Sequence, residues 1–489
     1  DAEGREGAIK LSQKVGPKKS FILQWPQETP RKFDINDLLM KSPEEFEKEF
    51  KKFLKDVKPA KDVIGKPVDS KKHGRKFNAH DVLQKMNLKD YLHVPDVGTF
   101  HFNQSGYWEE IKRSYVEMEI KKIIGDPTRY EIAEVSRMFE LDTLIPRDKE
   151  LNQHRGILNL KNGLMDIRTG EVKPHRRDFL SSIQLPITFN PQSECPRWEK
   201  FLSEVVDSPE LVAVLQEFAG LCLIQESKFH KCLVLVGAGA NGKSTFLTVL
   251  ENLLGKQNIS SVPMGKLESE FHRASLYNKL VNISSELEIN ELMGSGYFKS
   301  IVSGDTIDAA FKFQNSFSFK PTARLIFAMN ELPRSKDRSY GYYRRFLIVP
   351  FNKEFKGEKA DRTLSKKLID EMDGIFNWAL AGLKRLFEKD DFTQSKVLDE
   401  MVEQYKRDNN PVITFIEENC FVNPGATISK NKLFKAYTDF CKSNGYYSLN
   451  VRHFYKELKK QISGISESYP RIESGRERIL HGVSLEDSE

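Results

Sequence analysis

The sequence predicts an α/β fold, and three observations support that class. The apolar run from Cys232 to Val236 has the length and composition of a buried strand. It leads into the glycine-rich segment GAGANGKST, and an amphipathic stretch from Thr245 to Leu254 follows, which Gly255 ends. A further series of strand-like and helix-like segments continues to about Phe387. Strands that alternate with helices are typical of α/β domains.

Length and composition restrict the class of protein further. With 489 residues, the chain is too long for one core and should form about three domains. It contains no apolar run long enough for a membrane span, and its polar start lacks the apolar core of a signal peptide. The five cysteines form no C-x-x-C pair, which favours a reducing compartment and argues against a structural zinc site. The net charge of +6 only weakly favours a polyanionic partner. The first residue is Asp1 rather than Met, which suggests a fragment of something longer.

The first part of the chain shows little periodicity. A charged helix is predicted from Ser42 to Leu54, and a lysine-rich linker follows to Lys76. Helices are then predicted from Tyr107 to Ile124 and from Arg129 to Phe139. The passage from Ile157 to Val172 alternates apolar and polar residues across two glycine turns, which predicts short strands joined by tight turns.

The second part of the chain carries clearer patterns. A helical region from Trp198 to Ile224 leads into the strand at Cys232. After Asp391 the sequence predicts three helices and two short β-like pieces around Gly475; the helices run from Val412 to Cys420, Ser429 to Ser443 and Asn450 to Ile462.

The glycine-rich segment matches the phosphate-binding loop. Its glycines let the backbone curl so that successive N–H groups point at one anion, and the positive end of the following helix adds to their field. Lys243 would reach the β- and γ-phosphates, and Ser244 would hold magnesium. The predicted nucleotide-binding residues are Gly237, Ala238, Gly239, Ala240, Asn241, Gly242, Lys243, Ser244 and Thr245. The alternative is a flexible surface turn.

Two later strand ends offer candidate catalytic groups. The apolar-leaning run from Leu280 delivers Glu286, a candidate to orient magnesium and the attacking water, with Glu288 in reserve. The run from Leu325 to Met329 leads into Asn330, whose amide can hold a water through both its donor and its acceptor. The alternatives are an ordinary exposed Glu and a turn-forming Asn.

The segment Phe311 to Phe319 predicts a hairpin between these two strands. A three-residue turn at Gln314 to Ser316 would place four phenylalanines on one face and Lys312 with Ser318 on the other. Lys312 could then reach a nucleic-acid backbone. A hairpin that only closes the core would explain the phenylalanines equally well.

Arg344 and Arg345 directly precede the apolar strand FLIVPF. Arginines at such a position can reach the γ-phosphate bound by a neighbouring subunit and stabilise the charge of the transition state. The alternative is an arginine pair that caps a strand end in water.

These segments together resemble the superfamily 3 helicases, and among them the phage, plasmid and poxvirus primase-helicases. The resemblance lies in the order of GAGANGKST, NISSELE, SGDTIDAAFKF, FKPTARLIFAMNELP and YYRRFLIVPF, and extends upstream through NLKNGLMDIRTGEVKPH and ECPRWEKFL. It covers the chain from near residue 80 to the end. The stretch Pro30 to Leu39 also resembles the closing segment of Toprim-type primase domains, which suggests that a primase domain precedes this chain.

The resemblance implies an AAA+ ATPase core that assembles as a ring, usually a hexamer, with ATP and magnesium between subunits. By matching position, Lys243 and Ser244 bind phosphate and magnesium, Glu286 is the Walker B acid and also a magnesium ligand, and Asn330 is the sensor. Arg345 is expected to be the arginine finger, with Arg344 second, and Lys312 lies on the hairpin that grips single-stranded DNA. Ser285 stands where many such ATPases have a second acid, which leaves open whether Glu288 assists Glu286.

The C-terminal segment shows the order of a winged helix, three helices followed by strand, turn and strand. Its last helix has a basic face, and its wing around Gly475 carries further arginines. Both features fit binding to a DNA backbone. The alternative is a solvated lysine face on a helical cap. The predicted DNA-binding residues are Lys312, Arg452, Lys456, Lys459 and Arg476.

The sequence therefore predicts four parts: a tail or linker at 1–78, an α+β accessory domain at 79–205, an AAA+ core at 206–395 and a winged-helix-like domain at 396–489. The expected function is an ATP-dependent replicative DNA helicase in the host cytoplasm that acts on single-stranded and forked DNA. A primase or polymerase is the expected further partner. An ATP-gated DNA-binding or origin-loading ring is the alternative, and a P-loop kinase would be a different enzyme class.

Overall fold

The computed structural model describes residues 77–154, 156–285, 295–355, 361, 363–472 and 475–486, with the backbone of strands β1 (Phe21–Ile22) and β2 (Lys58–Pro59). The chain divides into two compact units, Asp1–Asn78 and Ala79–Glu489. In the first unit, β1 and β2 pair antiparallel. The predicted helix from Ser42, most of the lysine-rich linker and the primase-like stretch from Pro30 lie outside the described residues.

The second unit begins with a small α/β layer. Its antiparallel sheet contains β3 (Tyr91–Val94), β4 (Gly98–Phe102) and β5 (Trp108–Ile111), flanked by α1 (Ala79–Leu83), α2 (Arg113–Ile124) and α3 (Arg129–Asp142). The predicted helix from Tyr107 is wrong over Trp108–Ile111. That segment pairs with β4 because the Trp108 ring packs against Phe102, its cross-strand partner.

The predicted tight-turn strands are confirmed. They form an antiparallel sheet of β6 (Ile157–Leu160), β7 (Gly163–Asp166) and β8 (Val172–Lys173). The helical region that follows is divided at Val206 into α4 (Pro196–Val205) and α5 (Pro209–Leu221).

A five-stranded parallel sheet forms the centre of the second unit and confirms the α/β class. Its strands are β9 (Cys232–Val236), β10 (Ile259–Ser260), β11 (Val281–Ser284), β14 (Arg324–Met329) and β15 (Phe346–Pro350). Their spatial order is β10-β11-β14-β9-β15. The carboxyl ends of β9, β11 and β14 therefore lie side by side at one edge of the sheet.

Helices cover both faces of this sheet. Successive side chains along its strands point alternately into two hydrophobic clusters, one on each face. Leu233 and Leu235 face one cluster, and Cys232 and Val234 face the other. The covering helices are α6 (Lys243–Leu254), α7 (Glu270–Ala274), α8 (Gly296–Ser303), α9 (Tyr340–Tyr343), α10 (Leu364–Ile369), α11 (Met372–Lys389) and α12 (Lys396–Asp408).

A hairpin leaves the sheet between β11 and β14, as predicted, but its register differs. Its strands are β12 (Ile307–Ala310) and β13 (Ser316–Phe319), and Ala310 pairs with Ser316. The connection therefore runs from Phe311 to Asn315, and the predicted turn at Gln314 to Ser316 is wrong.

The C-terminal region has its own hydrophobic core. The three predicted helices are present as α13 (Pro411–Asn419), α14 (Lys430–Ser443) and α15 (Val451–Gln461). The strands around them are β16 (Cys420–Phe421), β17 (Thr427–Ser429), β18 (Ser466–Ser468), β19 (Arg471–Ile472), β20 (Gly475–Arg476), β21 (Ile479–His481) and β22 (Ser484–Leu485). No described helix is long and apolar enough to cross a bilayer. All five cysteines are buried and free.

Candidate functional site

The segment between β9 and α6 forms a tight loop at the carboxyl edge of the parallel sheet. Gly239 and Gly242 have φ angles of +114° and +92°, and Ala240 also lies in the left-handed region at +48°. This backbone needs glycine at its sharpest points because a Cβ disfavours positive φ. A Cβ at Gly237 would stand 2.2 Å from Asn241 Nδ2 and 2.3 Å from the Phe351 carbonyl oxygen. The spacing of the glycines is therefore required by the fold of the loop.

The loop offers a row of main-chain donors. Within the part of the chain that the structure describes, the N–H groups from Ala238 to Thr245 meet no hydrogen-bond acceptor. They surround the N-terminus of α6, where the helix dipole favours an anion. This arrangement fits nucleotide phosphates, because a curled backbone with successive N–H donors is a general anion site.

Lys243 lies at the base of this loop and is only 7 % exposed. Its amine donates to the Gly237 carbonyl and, at 3.1 Å, to Asn241 Oδ1. Burial lowers the pKa of Lys243. Ser244, the next residue, is exposed in the first turn of α6, where its hydroxyl is accessible to a cation.

Asn241 organises the loop in a way that the sequence did not reveal. Its side-chain amide nitrogen donates to the Phe351 carbonyl at 3.0 Å, while its oxygen accepts from Lys243. The N–H of Phe355 donates to the Ala240 carbonyl at 2.7 Å. The loop is thus bonded to the segment that follows β15, and this role depends on the burial of Asn241, which only the structure shows.

Asn330 lies next to the loop. Its strand β14 pairs with β9, Met329 is opposite Val236, and the Gly237 N–H donates to the Met329 carbonyl at 3.2 Å. Asn330 follows Met329 directly and is exposed at the same edge. β11 pairs with the other side of β14 and ends at Ser284. Glu286 and Glu288 lie outside the described residues.

The two arginines before β15 have different surroundings. Arg345 is 8 % exposed, and its guanidinium donates to the Gly341 carbonyl and, at 2.6 Å, to Ser303 Oγ. Arg344 is exposed, and its guanidinium makes no hydrogen bond or ion pair within the described residues. It borders a cleft of about 240 Å³ between the start of β15 and α12. The exposed arginine is therefore Arg344, although the order of motifs favoured Arg345.

The hairpin tip presents a cation and an aromatic ring together. Lys312 is exposed, and Phe313 is fully exposed with a left-handed φ of +66°. The rings of Phe311, Phe317 and Phe319 stack along the hairpin at 5.2 and 5.6 Å. The prediction that four phenylalanines share one face is thus wrong for Phe313, which the five-residue connection turns away from the row.

The basic residues of the C-terminal region fall into two groups. Arg452 and Lys456 are exposed on α15 and form no ion pair within the described structure. Lys459 pairs with Glu467 at 2.7 Å, and hydrogen bonds from Lys459 and Lys430 lower the pKa of Glu467. Arg476 is exposed in β20, 5.9 Å from the Tyr469 ring.

A cavity of about 710 Å³ lies elsewhere, among residues that precede β9 and β11, including Ile224, Glu226 and Leu280. Since those strands are parallel, this cavity lies toward the amino edge of the sheet. It is separate from the phosphate-loop site.

Three family models match consecutive parts of the chain. Residues 80–207 match one described as D5 N terminal like, and residues 407–469 match one described as poxvirus D5 protein-like. Residues 235–345, which contain the glycine-rich loop, Asn330 and both arginines, match a family of unknown function, DUF5906.

Two viral proteins match across these parts. "Putative helicase L207/L206" of Acanthamoeba polyphaga mimivirus is 23% identical over 333 residues, 60% of this chain and 34% of that protein. "Putative helicase 184R" of Invertebrate iridescent virus 6 is 21% identical over 436 residues, 76% of this chain and 42% of that protein. Two of the three matching family models are thus D5-like, and both viral relatives carry helicase names. The resemblance to poxvirus primase-helicases is thereby confirmed.

The chain spans about a third to two fifths of the length of these viral relatives. Among solved structures, it is similar to the apo structure of the NrS-1 C-terminal region, with a TM-score of 0.48 and 15% identity. That match covers 83% of this chain and 98% of the other.

Proposed function

We propose that this chain is the motor of an ATP-dependent DNA helicase that encircles single-stranded DNA as a ring, in which each nucleotide lies between two subunits. The row of main-chain donors from Ala238 to Thr245, with Asn330 beside it, carries the proposal. The matches to two D5-like family models support it.

The residues at the carboxyl edge would divide the chemistry between them. The loop N–H groups and Lys243 bind the β- and γ-phosphates, and Ser244 with Glu286 holds magnesium. Asn330 holds the attacking water through its amide. ATP with magnesium would supply the phosphoanhydride bond whose hydrolysis provides the free energy for movement.

The arginine that completes the site comes from a neighbouring subunit in this proposal. Arg344 is the preferred candidate, because its guanidinium is exposed and makes no hydrogen bond or ion pair among the described residues, so it can approach another subunit's γ-phosphate. Arg345 would hold the turn that carries it, through Gly341 and Ser303. The strand order, in which β14 separates the loop strand β9 from β11, supports an AAA+ core.

The hairpin would contact DNA in the ring. Lys312 binds a backbone phosphate, and Phe313 offers a face on which a base can stack. In the C-terminal region, three helices followed by antiparallel strands support a winged helix. Arg452 and Lys456, which form no ion pair among the described residues, would bind the DNA backbone.

The direct test is the ATP hydrolysis rate with and without single-stranded DNA. We expect DNA to raise the turnover number of the unmodified chain, and Lys243→Ala to abolish hydrolysis in both conditions. Hydrolysis that ignores DNA, with no loss in Lys243→Ala, would refute the motor assignment. ATP-dependent DNA binding with negligible hydrolysis would instead support the ATP-gated ring.

A further inference from the structure

Helix α8 lies between two parts of the fold: the turn and strand that carry Arg344 and Arg345, and the hairpin formed by β12 and β13. Its apolar residues Phe298, Ile301 and Val302 are buried. The Phe298 ring stacks on Phe346 at 5.2 Å and meets Tyr342 edge-on at 5.7 Å. The body of α8 is therefore packed directly on the turn and strand that carry the two arginines.

The first turn of α8 is attached to the root of the hairpin. Tyr297 Oη donates to Asp308 Oδ1 at 2.8 Å, and Arg273 donates to Asp308 Oδ2 at 2.7 Å. Arg273 is 2 % exposed, and its guanidinium lies 3.5 Å from the centre of the Tyr297 ring. Asp308 belongs to β12, so this cluster connects α8 to the first strand of the hairpin.

Two further residues of α8 form hydrogen bonds with the segment that runs from Asn330 to Arg345. Lys299 Nζ donates to Asp337 Oδ2 at 2.7 Å, and Asp337 lies in the loop between Asn330 and Arg344. Ser303 Oγ accepts the hydrogen bond from Arg345. Burial alone would raise the pKa of Asp337, but hydrogen bonds from Lys299 and Ser339 hold it well below its usual range.

We propose that α8 is the element that couples the nucleotide site to the hairpin, and that Tyr297 and Asp308 are positioning residues at its hairpin end. This inference rests on the proposed motor function. Coupling between distant sites needs a packed, continuous element with bonded ends, and α8 is packed along its length and bonded at both. A change at the Arg344 turn would move α8, and the Tyr297–Asp308 hydrogen bond would pass that movement to the tip.

The test uses a Phe313→Trp reporter at the hairpin tip, whose fluorescence is recorded on addition of ATP without DNA. Tyr297→Phe removes one hydroxyl and keeps the ring over Arg273. Tyr277→Phe is the matched control, because the Tyr277 ring packs edge-on to Phe317 and Phe319 at 5.5 and 5.4 Å, while its hydroxyl hydrogen-bonds with Asn278, outside the hairpin. We expect Tyr297→Phe to reduce the ATP-dependent change about fivefold or more, and Tyr277→Phe to leave it unchanged.

An Asp308→Asn variant completes a double-mutant cycle with Tyr297→Phe. If the two side chains act as one unit, the double variant should lose no more of the signal than either single variant. An equal ATP response in Tyr297→Phe and Tyr277→Phe, or no ATP response in the reporter itself, would overturn the coupling role.

The failure of the motor proposal looks different. In that case ATP would still change the Phe313→Trp fluorescence, and Tyr297→Phe would still reduce that change, but DNA would not stimulate ATP hydrolysis.

Discussion

Asn241 links Lys243 to the strand that follows the arginines. Its side-chain oxygen accepts from Lys243 Nζ at 3.1 Å, and its nitrogen donates to the Phe351 carbonyl at 3.0 Å. One amide therefore fixes the position of Lys243 and anchors the glycine-rich loop to Phe351, directly after β15.

This relationship predicts that Asn241→Ala weakens ATP binding. Loss of the anchor leaves the buried Phe351 carbonyl unpaired, so we expect about a fivefold rise in the KM for ATP. Asn252→Ala is the control, because its side chain donates to the Thr248 carbonyl within α6, away from the loop. An unchanged KM in steady-state hydrolysis assays of Asn241→Ala would contradict the anchoring role.

ATP affinity should fall at high pH. Burial lowers the pKa of Lys243 below its ordinary value of 10.5, so the amine loses its proton earlier than an exposed lysine does. Since phosphate binds the protonated form, the Kd for ATP should rise as pH increases toward 10.5. Equilibrium titrations across this range should show the effect in the unmodified chain. Lys243→Arg should largely lack it, because a guanidinium stays protonated. Equal pH profiles would exclude Lys243 as the titrating group.

The two arginines should differ in what they disturb. Arg344→Ala should fold and bind ATP normally but lose about a thousandfold in hydrolysis. Arg345→Ala should lower thermal stability, because Arg345 is buried and bonded to Gly341 and Ser303.

Mixed rings test whether Arg344 acts across the subunit interface. Subunits with Lys243→Ala retain Arg344, and subunits with Arg344→Ala retain Lys243. A mixture of the two should therefore recover some hydrolysis. If Arg344→Ala on its own hydrolyses ATP at the normal rate, Arg344 is not the arginine finger.

Phe313 and Lys312 should contribute to DNA binding in different ways. Phe313→Ala should weaken binding of single-stranded DNA by about 5- to 150-fold at any salt concentration, and Phe313→Trp should preserve it. Lys312→Ala should remove about one phosphate contact. The slope of the logarithm of the DNA association constant against the logarithm of the salt concentration should therefore become shallower by about 0.7 for single strands. Fluorescence anisotropy at several salt concentrations separates these effects, and an unchanged affinity in Phe313→Ala would exclude stacking at the tip.

Two lysines on the same helix provide an internal comparison. Lys456 has no ion pair among the described residues, whereas Lys459 pairs with Glu467 at 2.7 Å. We therefore expect Lys456→Ala to reduce duplex affinity more than Lys459→Ala, when both are measured at the same salt concentration. A larger loss in Lys459→Ala would indicate that the pair opens and that Glu467 does not neutralise the lysine.

Local signals made much of this fold predictable. The strand at Cys232, the loop and the helix ending at Gly255 follow from glycine spacing and apolar runs, because each depends on residues close together in the sequence. The three C-terminal helices follow from periodicity in the same way.

Features that depend on partners in another element were not predictable. The strand Trp108–Ile111 forms by pairing with β4, and the register of the hairpin is set by the pairing of β12 with β13; neither pairing can be read from the periodicity of one segment. The burial of Arg345 arises from its contact with Ser303, which is distant in the sequence. The role of Glu286 stays a prediction, since it lies outside the described residues.

The most direct test of the account is unwinding of a forked DNA duplex by the unmodified chain and by Lys312→Ala, with ATP hydrolysis measured in the same samples. We expect the unmodified chain to separate the strands. We expect Lys312→Ala to keep its rate of ATP hydrolysis without DNA but to lose strand separation. Equal unwinding by the two proteins would contradict a hairpin that grips DNA. The absence of unwinding by the unmodified chain, with hydrolysis that DNA does not stimulate, would contradict the motor itself.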